Sequence, residues 1–318
     1  MKAGKEKIIS LLGPTAIGKS SLAIKLKNKY PIEIVSVDSV MIYRDMNIGT
    51  DKPSDKILSS TKHHLINIRN PSESYNVGQF YKDIRVIIKS IHDKNKVPLL
   101  VGGSMMYFNS LFNGLNLLPK KSIIERKFID NLLEKYSCNQ LHSCLKDIDQ
   151  LSYQNIDKND MQRIQRALEV YICTGKPITS FFDNKIKLSD EYDVLTLKLM
   201  SENRSLIHEK IAVRTKNMFN NNLIDEVAYL IDKYSLTKDN QSMRSIGYRQ
   251  VIEHFDTNTS LEDLENRCIY ATRQLAKRQI TWLKKFDESI TINVADNSSG
   301  NIDKAIDNHL HFQQIVSI

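Results

Sequence analysis

Apolar and polar positions follow two different periods along roughly the first hundred residues. Short continuous apolar runs have the length of buried strands: Ile8–Leu12, Ile32–Val37, His64–Ile68 and Pro98–Val101. Between these runs, Ser20–Tyr30 and Val77–His92 repeat apolar residues at helical spacing. Because buried strands joined by longer helices are typical of βαβ units, the pattern predicts an α/β fold with a parallel sheet flanked by helices.

The pattern changes at about Pro119, and helical spacing then continues to Lys187 without a convincing strand. The clearest helix there is Gln162–Thr174, which Asn159 or Asp160 can cap and which Gly175 with Pro177 can end. Alternation then resumes, with strands at Tyr192–Met200 and Ile290–Val294 and helices at Asn203–Lys233 and Leu261–Phe286. We therefore predict an α/β core, residues 1–117 and 191–318, interrupted by an all-helical insertion domain at 118–190.

The composition is that of a soluble globular protein. The chain has 318 residues, of which 41% are hydrophobic and 26% are charged, so it can bury a substantial core and is not expected to be disordered. No stretch approaches the roughly 20 apolar residues of a membrane helix. The apolar run after the charged start is too short for a signal peptide, and we expect a cytoplasmic protein with no membrane partner.

The charge balance bears on nucleic-acid binding, and the cysteine spacing bears on zinc binding. Lysine and arginine number 45 against 37 acidic residues, giving a formal net charge of +8 and an isoelectric point near 9.1. A basic surface suits nucleic acid, but lysine-rich solvated helix faces produce the same balance. Cys138, His142 and Cys144 have zinc-like spacing but lack a nearby fourth ligand in the sequence, so no zinc site is expected there.

The strongest motif fills the turn after the first predicted strand. Its residues fit the phosphate-loop pattern G-x4-G-K-[ST] between a strand and a helix: Gly13, Pro14, Thr15, Ala16, Ile17, Gly18, Lys19 and Ser20. The glycines let successive N–H groups point at phosphate oxygens, Lys19 supplies a positive charge, and the Ser20 hydroxyl can ligate Mg²⁺. The motif therefore predicts a phosphate site with Mg²⁺ as cofactor.

The kind of phosphate chemistry depends on the neighbouring strands. The base-reading Asn-Lys-x-Asp signature of G proteins is absent, and Pro98–Val101 ends in glycines instead of the aspartate of a motor ATPase. The first acid after a strand is Asp38, and the carboxyl ends of parallel strands face one crevice. Asp38 should therefore lie near the phosphates, where it could be a general base, a Mg²⁺ anchor, a helix cap or a side chain that contacts a metal only through its ligands.

Several further segments stand in one order along the chain. They are Ser36–Ser39, Ile42–Arg44, Met46–Thr50, Lys52–Pro53, Leu99–Met105, Tyr107–Phe108, Gln162–Arg163, Arg166–Glu169, Ser245–Gln250 and Ala271–Leu283. With the phosphate loop, they resemble the tRNA dimethylallyltransferases, also called tRNA isopentenyltransferases. Many families share the loop alone, whereas the blocks at Asp38 and Ala271–Leu283 are far more specific. The resemblance implies a P-loop NTPase-like, kinase-like sheet with a helical insertion that binds tRNA.

The resemblance also implies a reaction. A dimethylallyl group would pass from dimethylallyl diphosphate to N6 of adenosine 37 in tRNAs that read codons beginning with U, and diphosphate would leave. The diphosphate would lie on the phosphate loop, and Arg214 matches a family arginine near it. The family pattern places contacts with the anticodon stem-loop on Asp38, Ser39, Val40, Met41, Ser104, Arg126, Gln162, Arg163, Ile164, Gln165, Arg166, Arg244, Ser245, Ile246, Gly247, Tyr248, Arg249, Lys277, Arg278, Gln279, Ile280, Thr281, Trp282, Leu283 and Lys284.

Elementary chemistry agrees with these roles. Adenine N6 is a poor nucleophile, because its lone pair is delocalised, and a carboxylate at Asp38 would sharpen it by accepting its proton. Loop N–H groups, Lys19 and Mg²⁺ near Ser20 would stabilise the charge that grows on the diphosphate. We expect a catalytic set of Asp38, Lys19, Ser104 and Arg214. Ser20 and Ser104 stand where threonine is commoner in the family, and Asp51 stands where a small residue is commoner.

A basic helix near the end of the chain suits the RNA. On a helical wheel Arg273, Lys277 and Lys284 share a narrow arc beside an apolar arc formed by Ile269, Ala276, Ile280 and Leu283. A solvated helix without RNA has the same pattern. Trp282 fits the core better than a stacking platform for a base.

Three other functions share parts of this pattern. A small-molecule kinase has the loop and a neighbouring acid, and an adenylate isopentenyltransferase would prenylate free AMP, ADP or ATP. A non-catalytic RNA-binding module would not need Asp38 beside an intact Lys19. The basic helix and the insertion favour tRNA as partner, and we expect a monomer.

Overall fold

One parallel sheet contains all six strands in the part of the chain that the structure describes. The computed structural model describes residues 4–116, 118–119, 123–182, 185–257, 259–294 and 299–311. The strands are β1 (Lys7–Leu12), β2 (Ile32–Val37), β3 (His63–His64), β4 (Val97–Gly102), β5 (Asp193–Met200) and β6 (Ile290–Asn293). Their order is β3-β2-β4-β1-β5-β6 and every pair is parallel, which confirms the predicted sheet.

The register of the central strands brings their carboxyl ends level. Gly102, the last residue of β4, pairs with Leu12 of β1 on one side and Val37 of β2 on the other. A Cβ atom at Gly102 would lie 2.0 Å from the carbonyl oxygen of Val37, so only glycine permits this close approach. The turns that follow these strands, at Gly13, Asp38 and Gly103, therefore begin side by side at one edge of the sheet.

Helices cover both faces of the sheet. The helices of this unit are α1 (Lys19–Lys29), α2 (Asp55–Ser60), α3 (Val77–His92), α4 (Met105–Phe112), α9 (Leu188–Glu191), α10 (Arg204–Asn220), α11 (Leu223–Tyr234), α12 (Tyr248–Thr257), α13 (Leu261–Leu283) and α14 (Ser299–His311). Alternate residues of β1 enter two apolar clusters: Ile8 and Leu12 pack with α3 and α4, and Ile9 and Leu11 pack with α1 and α10. Within the described ranges, no helix is long and apolar enough to cross a bilayer.

Residues 113–187 form a separate compact unit with its own core. Its helices are α5 (Ile123–Lys135), α6 (Cys138–Ile148), α7 (Gln150–Asn155) and α8 (Met161–Thr174), followed by a 3₁₀ turn at Ile178–Phe181. The carboxylate of Asp160 accepts from the N–H of Arg163 at the start of α8, and Gly175 ends the helix at φ 68°. Both helix signals in the sequence are thus confirmed. Ile129, Leu145 and other buried residues fill the core of this unit.

Left-handed backbone shortens two of the predicted elements. The predicted strand His64–Ile68 is wrong beyond its first residue, because Leu65 and Asn67 adopt positive φ and break the extended backbone. The predicted long helix Asn203–Lys233 is two helices, α10 and α11, because Asn222 adopts φ 67° between them.

Candidate functional site

The phosphate-loop motif forms a tight turn between β1 and α1. Ala16 and Gly18 have φ values of 61° and 103°, so the backbone curls through the left-handed region twice. A Cβ atom at Gly13 would lie 2.9 Å from Cγ2 of Ile17 and 3.1 Å from the carbonyl oxygen of Leu199, which explains that glycine. The turn leads directly into α1, whose free N–H groups and dipole favour an anion.

Lys19 is folded back onto this turn. Its Nζ donates to the carbonyl oxygens of Gly13, at 2.9 Å, and of Pro14, at 2.7 Å. Burial and the charge of Arg214 lower the pKa of Lys19 to about 7, although the charge of Asp38 acts in the opposite direction. An anion on the loop would favour the charged form of this amine.

Arg214 of α10 also contacts the loop. Its guanidinium donates to the Oγ1 of Thr15, at 2.8 Å, and to the carbonyl oxygen of Thr50, at 3.3 Å. Its Nε lies 3.3 Å from a carboxylate oxygen of Asp51. Asp51, for which the sequence suggested no role, is therefore the ion-pair partner of Arg214. The planar guanidinium is held by three contacts beside the loop.

Asp38 follows β2 and uses only one of its oxygens to shape the chain. Oδ1 accepts from the N–H groups of Val40, at 2.8 Å, and Met41, at 3.1 Å, in a small turn. Oδ2 makes no hydrogen bond to any residue that the structure describes. Capping and chemistry are thus compatible at Asp38, because they involve different oxygens.

Ser104 supports the same turn from the end of β4. Its Oγ accepts from the N–H of Ser39, at 3.0 Å, and donates to the hydroxyl of Ser39 at 3.3 Å. The N–H of Ser104 donates to the carbonyl oxygen of Val37 at 3.3 Å. A single hydroxyl group therefore ties the turn that carries Asp38 to the neighbouring strand end.

One large cavity joins these groups. Its volume is about 1220 Å³, which is above the range of ordinary small-molecule pockets. The lining includes the loop, Asp38, Arg214, the segment 244–247 and the helix α13. Its charged side chains are Lys19, Asp38, Asp51, Lys52, Glu209, Lys210, Arg214, Arg244 and Arg278, so positive charge is in excess. Such a cavity suits a large polyanion.

Lys52 is a feature of the cavity wall that sequence reasoning did not assign. Its Nζ donates to the carbonyl oxygen of Tyr43 and to the side chains of Asn47 and Asn67, at 2.7 to 3.0 Å. Burial lowers the pKa of Lys52 to about 8, although several acids, led by Glu226, act in the opposite direction. This amine therefore joins Asn67, which follows β3, to the segment after β2 that contains Tyr43 and Asn47.

Glu226 of α11 was missed as well. Its carboxylate accepts from the N–H groups of Asn47, Ile48 and Gly49, at 2.7 to 3.1 Å, and from the hydroxyl of Tyr248 at 2.6 Å. No local sequence motif indicates these contacts, because Glu226 lies 179 residues from Asn47. The segment Met46–Thr50 is thus a wall that α11 and α12 hold in place.

The positions predicted to contact RNA in this unit differ in exposure. Tyr248, Gly247, Gln279 and Leu283 are buried, and Trp282 is half-buried, packed on the core with Lys285 4.8 Å above its ring. The apolar side chain of Ile280 packs against the core of the sheet. The exposed positions are Arg244, Arg249, Lys277, Arg278, Thr281 and Lys284. Ser39, Val40, Met41, Ser245 and Ile246 are partly exposed.

In the insertion unit, the positions predicted to contact RNA also differ in exposure. Ile164 is buried in the core, and the Gln165 side chain lies between Arg126 and Asp130. Arg166 pairs with the buried carboxylate of Glu169 at 2.9 Å. Gln162 and Arg163 are exposed. Of these positions, Gln162 and Arg163 are therefore the most accessible to a partner, although Arg163 also pairs with Asp160 at 3.3 Å.

The side-chain oxygen atoms near the loop are suitable ligands for a Mg²⁺ ion that binds together with a phosphate. No cluster of three His, Cys, Asp or Glu side chains able to hold a metal occurs among the described residues. Ser20 and Asp38 line the same cavity, and Mg²⁺ commonly takes one or two protein oxygens with substrate phosphates and water. At the zinc-like spacing, Nε2 of His142 faces the carbonyl oxygens of Tyr153 and Ile156 instead.

Comparison with known proteins gives consistent results. The family model for IPP transferase matches residues 41–286. A tRNA dimethylallyltransferase of Coxiella burnetii (strain RSA 493 / Nine Mile phase I) is 44% identical over 289 residues, 91% of this chain and 93% of that protein. One of Nitrosospira multiformis is 42% identical over 281 residues, 88% of this chain and 87% of that protein.

Solved structures agree in fold. The full-length tRNA isopentenylpyrophosphate transferase of Bacillus halodurans superposes with a TM-score of 0.71 at 30% identity, covering 98% of this chain and 99% of its own. A eukaryotic dimethylallyltransferase acting on tRNA superposes with a TM-score of 0.82 at 27% identity, covering 97% of this chain and 80% of its own. The P-loop NTPase-like fold is thus shared along nearly the whole chain.

Proposed function

Because the chain belongs to the IPP transferase family, we propose that it transfers a dimethylallyl group from dimethylallyl diphosphate to N6 of adenosine 37 in tRNA. The expected substrates are tRNAs that read codons beginning with U. One observation carries the proposal: the free oxygen of Asp38 and the phosphate loop with Lys19 line the same cavity. A proton acceptor and an anion-binding turn are the two parts that this reaction requires.

The leaving group would occupy the loop. As the bond between C1 of the dimethylallyl group and the diphosphate oxygen breaks, negative charge grows on that oxygen. Lys19 and Arg214 both contact the turn and would stabilise this charge. Mg²⁺ held at Ser20 would neutralise part of the diphosphate charge when bound.

The nucleophile would approach from the side of Asp38. As the bond between N6 and C1 forms, one N6 proton passes to the carboxylate through Oδ2, while Oδ1 stays in its turn. Ser104 fixes the same turn through Ser39, so the carboxylate does not need to be reoriented during the step. This preorganisation lowers the cost of reaching the transition state.

Exposed cations at Arg244, Lys277, Arg278 and Lys284 would hold the RNA backbone around the cavity. An adenosine stacked in the anticodon loop must leave its stack to reach Asp38, at a cost of a few kcal/mol. The volume of about 1220 Å³ is compatible with a flipped nucleotide beside a diphosphate.

A labelled donor tests the proposal against its rivals. Dimethylallyl diphosphate carrying label in the prenyl group is offered with undermodified tRNA, with free AMP and with ATP, in parallel. We expect label in tRNA alone, on N6 of adenosine 37. Label in AMP would instead support an adenylate isopentenyltransferase. Transfer of the terminal phosphoryl group of ATP to an alcohol, without prenyl transfer, would overturn the proposal in favour of a kinase.

A further inference from the structure

Gln279 lies within the cationic part of α13 but does not face solvent. Its neighbours Lys277 and Arg278 are exposed, whereas Gln279 is 7% exposed. Its position in the sequence therefore suggests an RNA contact that its side chain is not free to make. A buried amide must find hydrogen-bond partners inside the protein.

Both ends of that amide are in use. Oε1 accepts from the N–H of Thr15 at 2.8 Å, and Nε2 donates to the carbonyl oxygen of Gly103 at 2.9 Å. A Cβ atom at Gly103 would lie 2.6 Å from Nε2, so the missing side chain at Gly103 makes room for this bridge. One side chain of α13 thus joins the turn after β1 to the turn after β4.

The bridge fixes the part of the phosphate loop that Arg214 also touches. The hydroxyl of Thr15 accepts from Arg214 at 2.8 Å, while the N–H of Thr15 donates to Gln279. Two elements, α10 and α13, therefore hold Thr15 from different sides. The N–H of Thr15 is turned toward Gln279, and the later N–H groups of the loop remain for an anion.

We propose that Gln279 is a positioning residue for the phosphate loop and not an RNA contact. By bridging Thr15 and Gly103, it holds the loop in the geometry that binds the diphosphate leaving group. This inference rests on the proposed function, because it takes diphosphate as the loop's ligand. Glutamine suits the task because an amide supplies one acceptor and one donor, which neither glutamate nor leucine does.

Two substitutions, Gln279→Leu and Gln279→Glu, test the role. Leucine leaves the Thr15 N–H and the Gly103 carbonyl without their side-chain partner, and glutamate keeps the acceptor but loses the donor. We expect Gln279→Leu to bind inorganic diphosphate with Mg²⁺ about 10-fold more weakly in calorimetry and to raise the KM for the donor. In the absence of donor, its tRNA affinity and the salt dependence of that affinity should stay within about twofold of the unaltered protein.

Gln274→Leu is the matched control, because Gln274 is an exposed glutamine of the same helix outside the cavity lining. It should leave diphosphate binding unchanged. If Gln279→Leu fails to fold, Gln279→Glu tests the positioning role instead. We expect this variant to have a raised KM for the donor and a tRNA affinity within about twofold of the unaltered protein.

The opposite pattern, weaker tRNA binding with unchanged diphosphate affinity, would overturn the positioning role and restore Gln279 as an RNA contact. The proposed function can fail separately, since the unaltered protein would then bind diphosphate but transfer no prenyl group to tRNA. In that case the effect of Gln279→Leu on diphosphate binding still decides the positioning role.

Discussion

At the scale of single residues, Asp38 combines a structural and a chemical task on separate oxygens. Asp38→Asn keeps an acceptor for the N–H groups of Val40 and Met41 but removes the charge that would accept a proton. We expect turnover to fall about 10²- to 10⁴-fold with tRNA affinity and melting temperature nearly unchanged. Single-turnover prenyl transfer and a tRNA binding assay measure the two effects.

Asp38→Ala serves as the comparison, because it also removes the acceptor of the turn. It should lose turnover to a similar extent and lower the melting temperature as well. Near-normal turnover in Asp38→Asn would exclude Asp38 as the proton acceptor.

The lowered pKa of Lys19 predicts that diphosphate binding is coupled to proton uptake. Its pKa of about 7 in the ligand-free loop means that much of the amine is neutral above pH 7. Because a bound diphosphate favours the charged form, binding at pH 8 should take up a proton at Lys19, whereas binding below pH 6 should not. Calorimetry in two buffers with different ionisation enthalpies measures the uptake.

Diphosphate itself also titrates near neutral pH, so Lys19→Met is the necessary control. The difference in proton uptake between the two proteins at pH 8 belongs to Lys19. Equal uptake by both would mean that Lys19 is already charged in the free loop.

The residues that sequence reasoning found and missed differ in how far apart their partners lie. The loop and Asp38 were found because each follows an apolar run directly, so local spacing carries the signal. Lys52 was missed because no sequence motif links it to its acceptors, although they lie within 15 residues. Glu226 was missed because the N–H groups that it accepts from lie in a distant segment. The bridge made by Gln279, which the sequence predicted as an RNA contact, could not be seen for the same reason, since its partner Thr15 lies 264 residues away.

At the scale of elements, α13 combines an apolar side with an exposed cationic flank. The predicted apolar positions Ile269, Ala276 and Leu283 are buried, because helical periodicity reports which side of a helix meets the core. Backbone breaks are harder to see in the sequence. Positive φ values at Leu65 and Asn67 end β3 early, and a positive φ at Asn222 separates α10 from α11. At these positions the apolar pattern either continues or gives no signal of a break.

The cationic flank of α13 predicts a salt effect. Lys277→Ala with Arg278→Ala should weaken tRNA binding and reduce the slope of log affinity against log salt by roughly 1.5, since two phosphate contacts are lost. Binding titrations at four or five salt concentrations give the slope.

A second double variant separates local contacts from net charge. Lys82→Ala with Lys89→Ala removes the same charge from exposed positions of α3. We expect its slope to remain that of the unaltered protein. If both double variants lose the same slope, the effect comes from the total charge of the protein and not from α13.

At the scale of the whole molecule, the chain contains two units with separate apolar cores. The unit of residues 113–187 is centred on side chains such as Ile129 and Leu145, and the sheet unit is centred on its own two clusters. A unit with its own core can lose its structure at a lower temperature than the rest of the chain. The proposed diphosphate site belongs entirely to the sheet unit.

Leu145→Ala tests this independence, because Leu145 is fully buried in the smaller core. The cavity should cost that unit about 2–5 kcal/mol. We expect an earlier unfolding transition in calorimetry, unchanged binding of inorganic diphosphate and reduced prenyl transfer to tRNA. Leu151→Ala, at an exposed position of the same unit, should change none of these. Loss of diphosphate binding in step with the melting of residues 113–187 would show that the sheet unit depends on the smaller core for its own stability.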